Sequence, residues 1–167
     1  FRAFRSEWLP TFLGIGTAGT NLMGERVFLN GKIIDAADAR VSIFDAGLVH
    51  AVGLFETMRA YGGRVMRLSA HLDRLTNSAA ALEMKVQVDQ ARIESGIHKI
   101  LEANGLTDAR LRLTMTPGEL PREQSEGNGH SGATVIITAG PVKSYPVELY
   151  QSGMRVCVCP YKQSRFD

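Results

Sequence analysis

Cysteine is almost missing from this chain: 167 residues contain two, Cys157 and Cys159. Two apart in a β-like stretch, they share a face in poor disulfide geometry, and a metal site would need further ligands close by. A disulfide-stapled secreted scaffold is thereby excluded, and two reduced thiols suit a cytoplasmic chain. No apolar run approaches the length that crosses a bilayer, so no membrane is expected as a partner. Nineteen Lys and Arg against seventeen Asp and Glu leave a net charge of +2. No basic cluster is long enough to follow a phosphate backbone, so no nucleic acid is expected either. The four histidines lack metal-ligand spacing, with His98 read on a helix surface and His130 in a Gly-rich loop. There is no internal repeat and no low-complexity tract. Residues 14–19 satisfy G-x-G-x-x-G literally, but a dinucleotide fingerprint follows a strand and opens a helix. Pro10 precedes this run and Gly24 soon follows it, so it is set aside.

What remains is ordinary globular material, 44% hydrophobic and 22% charged, long enough for one core or for one domain and the start of another. Residues 1–22 have neither clean periodicity nor a secretory layout and read as an extension. Asn30-Gly31 is a type I′ pair, so residues 26–30 and 32–34 pair as a hairpin. Residues 35–40 form a loop and 41–44 a short strand. A helix is expected over 69–84 with Leu72, Leu75, Ala79 and Leu82 on one stripe. Asp89 caps a second helix whose inward residues are Ile93, Ile97, Ile100 and Leu101, closed by Asn104-Gly105. Residues 110–116 alternate as a strand, with Leu111, Leu113 and Met115 facing one way and Arg110, Arg112, Thr114 and Thr116 the other. Residues 133–139 read as a buried strand, and Pro141 and Pro146 mark 140–150 as a linker. A further strand is expected to begin at Met154. Together these elements predict an α+β domain over 23–139 with a mostly antiparallel sheet and two helices. Residues 151–167 then read as the truncated start of a second, β-rich domain.

The densest stretch is residues 49–78. Residues 54–61 alternate, so Phe55, Thr57, Arg59 and Tyr61 share one face and Leu54, Glu56, Met58 and Ala60 the other. Gly62-Gly63 supplies the positive φ of a two-residue hairpin and residues 64–68 return. Ser69 is the expected N-cap of a helix carrying His71, Arg74 and Ser78 along one side. On this reading Arg74 is held in place, a planar fork suited to two oxygens of a phosphate dianion. Glu56, on the opposite face from Phe55, is given no catalytic work.

Phe55-Glu56-Thr57, the hairpin, His71-Leu72-Asp73-Arg74-Leu75 and Ser78-Ala79 closely resemble the class IV (fold type IV) pyridoxal-phosphate-dependent aminotransferases. Upstream, Phe28-Leu29-Asn30-Gly31-Lys32 and Val41-Ser42-Ile43-Phe44-Asp45-Ala46-Gly47 look like the same family's opening. The resemblance runs from about Glu25 to the end and is strongest to branched-chain amino acid aminotransferases. It implies a cofactor, pyridoxal 5'-phosphate, whose phosphate Arg74 contacts, and a substrate pocket lined by Phe55, Arg59 and Arg112. His50 stands where many relatives carry a pocket tyrosine. The implied partners are an amino acid and a 2-oxo acid, 2-oxoglutarate among them, and a second copy of the chain in a homodimer.

Two departures bear on substrate. Arg110 replaces the tyrosine usual in branched-chain enzymes, and a second cation there favours a more acidic or differently shaped ligand. Thr116-Pro117-Gly118 replaces the Thr-Arg-Gly usual in D-amino acid aminotransferases and 4-amino-4-deoxychorismate lyases, the alternatives of the same fold. The family's lysine, which bonds the cofactor and carries the α-proton, is expected beyond Asp167, with Lys162 read as a loop residue. No catalytic residue is therefore assigned within the chain, and the fragment alone is expected to be inactive. An alternative of another class is a non-catalytic module that dimerises or binds a small anion through Arg74.

Overall fold

The computed structural model describes residues 25–120 and 132–158. Six strands form one sheet: β1 Arg26–Leu29, β2 Lys32–Asp35, β3 Leu54–Tyr61, β4 Arg64–Val65, β5 Ala109–Thr116 and β6 Thr134–Pro141. Their spatial order is β2-β1-β6-β5-β3-β4, and every neighbouring pair is antiparallel. Both predicted hairpins form. Asn30 and Gly31 take φ of 50° and 96°, and Gly62 and Gly63 take 54° and 79°, the double positive φ of a type I′ turn.

Helices α2 Leu68–Ala81 and α3 Gln90–Ala103 cover one face of the sheet. The core lies between the two layers. Leu72, Leu75 and Ala79 of α2 and Ile93, Ile97, Ile100 and Leu101 of α3 meet Phe28, Met58, Ala60, Leu111, Leu113, Met115, Ile137 and Ala139 of the strands. Asp89 caps α3 as expected, its side chain accepting from the Arg92 amide at 2.9 Å. At Gly96 the helix touches the sheet closely: a Cβ there would stand 2.7 Å from the Phe28 ring.

Several expectations need correction. Two further short helices occur, α1 Ala46–Val49 and α4 Val147–Ser152, the latter partly within the expected linker. Residues 41–44 are not a strand. The Ser42 hydroxyl accepts from the Phe44 amide and its carbonyl from the Asp45 amide, a local turn that competes with sheet pairing. The return strand β4 is only two residues long, and α2 begins at Leu68 rather than after a Ser69 cap. Arg67, left-handed at φ 53°, makes the entry without a side-chain cap. Leu82 is 60% exposed because α2 stops at Ala81, and left-handed Glu83 turns the chain so that Met84 is buried instead. Residues 154–158 form no strand, since no described strand pairs with them. Cys157 is exposed, whereas Cys159, His130, Lys162 and residues 1–22 lie outside the described residues. No described helix is long and apolar enough to cross a membrane, and no described residues group as metal ligands.

Candidate functional site

β3 organises the site because strand alternation sends consecutive residues to opposite faces. Glu56, Met58 and Ala60 point into the helical layer and are buried, while Phe55, Thr57 and Tyr61 stand exposed on the open face with Arg59 half-buried beside them. The expected site residues are therefore divided between the two faces. Arg74, on α2, belongs to the helical side, whereas Phe55, Arg59 and Arg112 belong to the open side.

On the helical side the Glu56 carboxylate, 2% exposed, collects three donors. Arg74 Nε donates to Oε1 at 2.8 Å, Arg74 Nη2 donates to Oε2, and His71 Nδ1 lies 2.7 Å from Oε2. Residues three apart on a helix project to one side, which lets His71 and Arg74 reach one carboxylate together. Burial pushes the Glu56 carboxyl up, but the hydrogen bonds and charges of Arg74 and His71 outweigh it, and the group sits below the ordinary carboxylate value. Glu56 in turn pushes the Arg74 guanidinium up, chiefly through the hydrogen bond. Arg74 remains 65% exposed, and its Nη1 has no partner among the described residues. An open hollow of about 230 Å³, lined by Arg67, Ala70, His71 and Arg74, lies beside it.

Glu56 is the residue that reasoning from sequence passed over. The available signal was a carboxylate on the buried face of a strand. Such a group requires a charged partner, and the following helix offers two.

On the open side Arg112 stacks over the Phe55 ring at 4.0 Å, and Arg59 over Tyr61 at 4.7 Å. Pairing of β3 with β5 sets Thr57 opposite Arg112 and Arg59 directly opposite Arg110. The face thus presents an apolar ring flanked by ordered guanidinium groups, which suits a carboxylate attached to an apolar body.

His50 is brought to neither group. It caps the C-terminus of α1, exposed, at the tip of the segment that leads into β3. The root of that segment is fixed by Asp45, which is fully buried. Its Oδ2 accepts from the Thr116 and Thr134 hydroxyls at 2.9 and 2.7 Å, and its Oδ1 from the Gly47 amide at 2.8 Å. Thr116 and Thr134 are cross-strand partners where β5 ends and β6 begins, so one carboxylate ties α1 to two strands.

Residues 53–166 match the family described as amino-transferase class IV. The chain is 41% identical over 93 residues to a Methanocaldococcus jannaschii protein provisionally named a branched-chain-amino-acid aminotransferase, covering 56% of this chain and 32% of that one. It is 30% identical over 114 residues to the D-alanine aminotransferase of Bacillus licheniformis, covering 68% and 39%. The fold resembles the branched-chain aminotransferase of Thermoproteus uzoniensis, solved with norvaline, at a TM-score of 0.59 and 28% identity, covering 71% of this chain and 41% of that one. The chain spans about a third to two-fifths of the length of these relatives.

Proposed function

The chain belongs to the class IV aminotransferase family, and from that premise we propose that the whole protein moves an amino group between a branched-chain-like amino acid and 2-oxoglutarate. Members of the family work with pyridoxal 5'-phosphate, and the residues here fit its phosphate. A dianion needs a fixed cation with donors to spare. Arg74 is fixed on one side by Glu56 and keeps Nη1 free on the other, above a hollow that Arg67 also lines. That anchored, half-free guanidinium is the observation that carries the cofactor assignment.

When bound, the cofactor supplies an aldehyde to accept the amino group and a ring to withdraw electrons from the α-carbon. This chain's residues would bind and orient. Arg74 would hold the phosphate, with Glu56 and His71 preventing its guanidinium from turning away. Phe55 would give an apolar wall to a branched side chain, and Arg59 and Arg112, ordered by their stacking on Tyr61 and Phe55, would take a substrate carboxylate. None of the described lysines, Lys32, Lys85, Lys99 and Lys143, lies on β3, β5 or α2. The proton carrier is therefore sought elsewhere in the protein.

Exposed Ile43, Leu48, Val49 and Val52, on the segment that leads into β3, support a homodimer that covers these apolar side chains. A cytoplasmic location accords with the free, exposed Cys157. D-amino acid transfer is the second reading, favoured by the likeness to the Bacillus licheniformis enzyme. Absorbance titration of the full-length protein with pyridoxal phosphate, then glutamate formation from 2-oxoglutarate with L-leucine or D-alanine, tests both. A cofactor band with L-leucine turnover supports the first reading, and D-alanine turnover alone supports the second. The absence of both the cofactor band and any turnover would overturn the proposal.

A further inference from the structure

Asp89 and Arg92 stand three residues apart where α3 begins, a spacing at which opposite charges on a helix ordinarily pair. Here they do not: no ion pair joins them among the described residues. Asp89 Oδ1 accepts instead from the Arg92 amide at 2.9 Å, and Oδ2 has no partner among the described residues. The Arg92 side chain turns to the Asn30-Gly31 hairpin, where Nη2 donates to the Asn30 carbonyl at 2.7 Å. Its Nε and Nη1 have no partner among the described residues. Gly31 permits this placement, because a Cβ there would collide with the guanidinium.

Both charges line one cavity of about 160 Å³. Its floor is apolar: Phe28, Ile93 and Met115, each no more than 3% exposed, with half-buried Val135 beside them. An apolar cavity of about 150 Å³ accepts a body the size of benzene, so a four-carbon side chain fits here. The cavity belongs to the helical side of the sheet, away from Phe55, Arg59 and Arg112 on the open side. It also shares no residue with the hollow beside Arg74.

An unpaired acid and an unpaired base around an apolar floor match a ligand with both charges next to a hydrocarbon body. We infer that this cavity binds a free apolar α-amino acid of about the size of leucine, its ammonium on Asp89 and its carboxylate on Arg92. The side chain then rests on Phe28, Ile93 and Met115. Reading both ends discriminates against the deaminated acid, which has nothing to offer Asp89 and brings a carboxylate towards it. The site does not depend on the amino-transfer reading.

NMR of the full-length protein carrying methyl-labelled methionine tests the site through Met115 in the cavity floor. Treatment with pyridoxal phosphate and borohydride beforehand keeps added leucine from reacting. L-leucine is expected to shift the Met115 methyl resonance to saturation. Isocaproate, which lacks the ammonium, and isopentylamine, which lacks the carboxylate, each bind at least about tenfold more weakly, as loss of one charge-assisted hydrogen bond requires. Arg92→Gln and Asp89→Asn each weaken leucine by a similar factor. Asn caps a helix as well as Asp does, so Asp89→Asn removes the charge and keeps α3. A Met115 resonance that leucine leaves unmoved overturns the site. So does a leucine shift that survives both substitutions, which would come from binding elsewhere. Isocaproate binding as tightly as leucine overturns the amino-acid assignment. Unchanged resonances of buried Met58 and Met84 show that each variant folds.

Discussion

The Glu56 carboxylate grips the Arg74 guanidinium from one side only, Oε1 taking Nε–H at 2.8 Å and Oε2 taking an Nη2 hydrogen, while the opposite edge of Arg74 stays in solvent. The pair is lopsided: the acid is buried and the base is not. Removing either partner therefore has different consequences, because an uncompensated charge is costly when buried and cheap when solvated.

Arg74→Ala strands the buried carboxylate with His71 alone, whereas Glu56→Gln frees a guanidinium already facing water. Arg74→Ala is accordingly expected to lower the denaturant midpoint more than Glu56→Gln. Glu56→Gln instead weakens pyridoxal phosphate binding, by about tenfold, through loss of a charge-assisted positioning bond. Chemical unfolding and cofactor titration of both variants check the order. If Glu56→Gln is the less stable of the two, the assignment of the buried partner is wrong.

Stability at low pH follows from the same carboxylate. Its value in the folded protein lies below the ordinary 4.5, so the unfolded chain takes up the proton first. The contribution is therefore fully present above about 4.5 and is lost as pH falls through the depressed value of the folded state. Glu56→Gln carries no such proton, and its stability is expected to fall less steeply than that of wild type below that point. Parallel slopes in urea melts across this range would remove Glu56 from the acid response.

Much of the sheet was legible because its periods are short. Residues 54–61 and 110–116 alternate, and burial follows that alternation except at Thr116, which was expected beside Arg110 and Arg112 but is buried where its hydroxyl donates to Asp45. The Asn30-Gly31 and Gly62-Gly63 turns were legible for a local reason, positive φ at both central positions. Resemblance rather than period pointed to Arg74. What was not legible depends on distance along the chain. Asp45 finds its hydroxyl partners 71 and 89 residues away, and nothing local distinguishes it from an ordinary helix-capping aspartate. Residues 41–44 looked like a strand because Val41, Ile43 and Phe44 are apolar, yet the Ser42 turn leaves all three exposed.

Asp45 offers a prediction about order rather than charge pairing, since all three of its donors are neutral. Asp45→Ala leaves the buried Thr116 and Thr134 hydroxyls without that acceptor and frees the Gly47 amide. A loss of about 2–4 kcal/mol is expected, with Asp45→Asn costing less because its carbonyl oxygen still accepts. Hydrogen exchange should quicken at Gly47 and His50 before it quickens in β5. An Asp45→Ala variant as stable as wild type would mean that α1 is held by backbone bonds alone.

Gly96 tests the packing of α3 on the sheet, and here two effects oppose each other. Alanine in a helix interior is favoured over glycine by about 1 kcal/mol. The new Cβ, however, would meet Phe28 at 2.7 to 2.9 Å, and that ring is 3% exposed with little room to retreat. Overpacking of this kind costs about 1–3 kcal/mol, so Gly96→Ala is expected to destabilise despite the better propensity. Phe28→Leu alone also destabilises, by about 1 kcal/mol, because it opens a void. Together the two changes relieve each other: the methyl group fills space that the ring vacated. The double variant is therefore expected to be more stable than the sum of the single losses by about 1 kcal/mol or more. Strict additivity in the four-protein cycle would show that α3 shifts away from β1 to accommodate the methyl group, and that glycine at 96 is not required by the close contact.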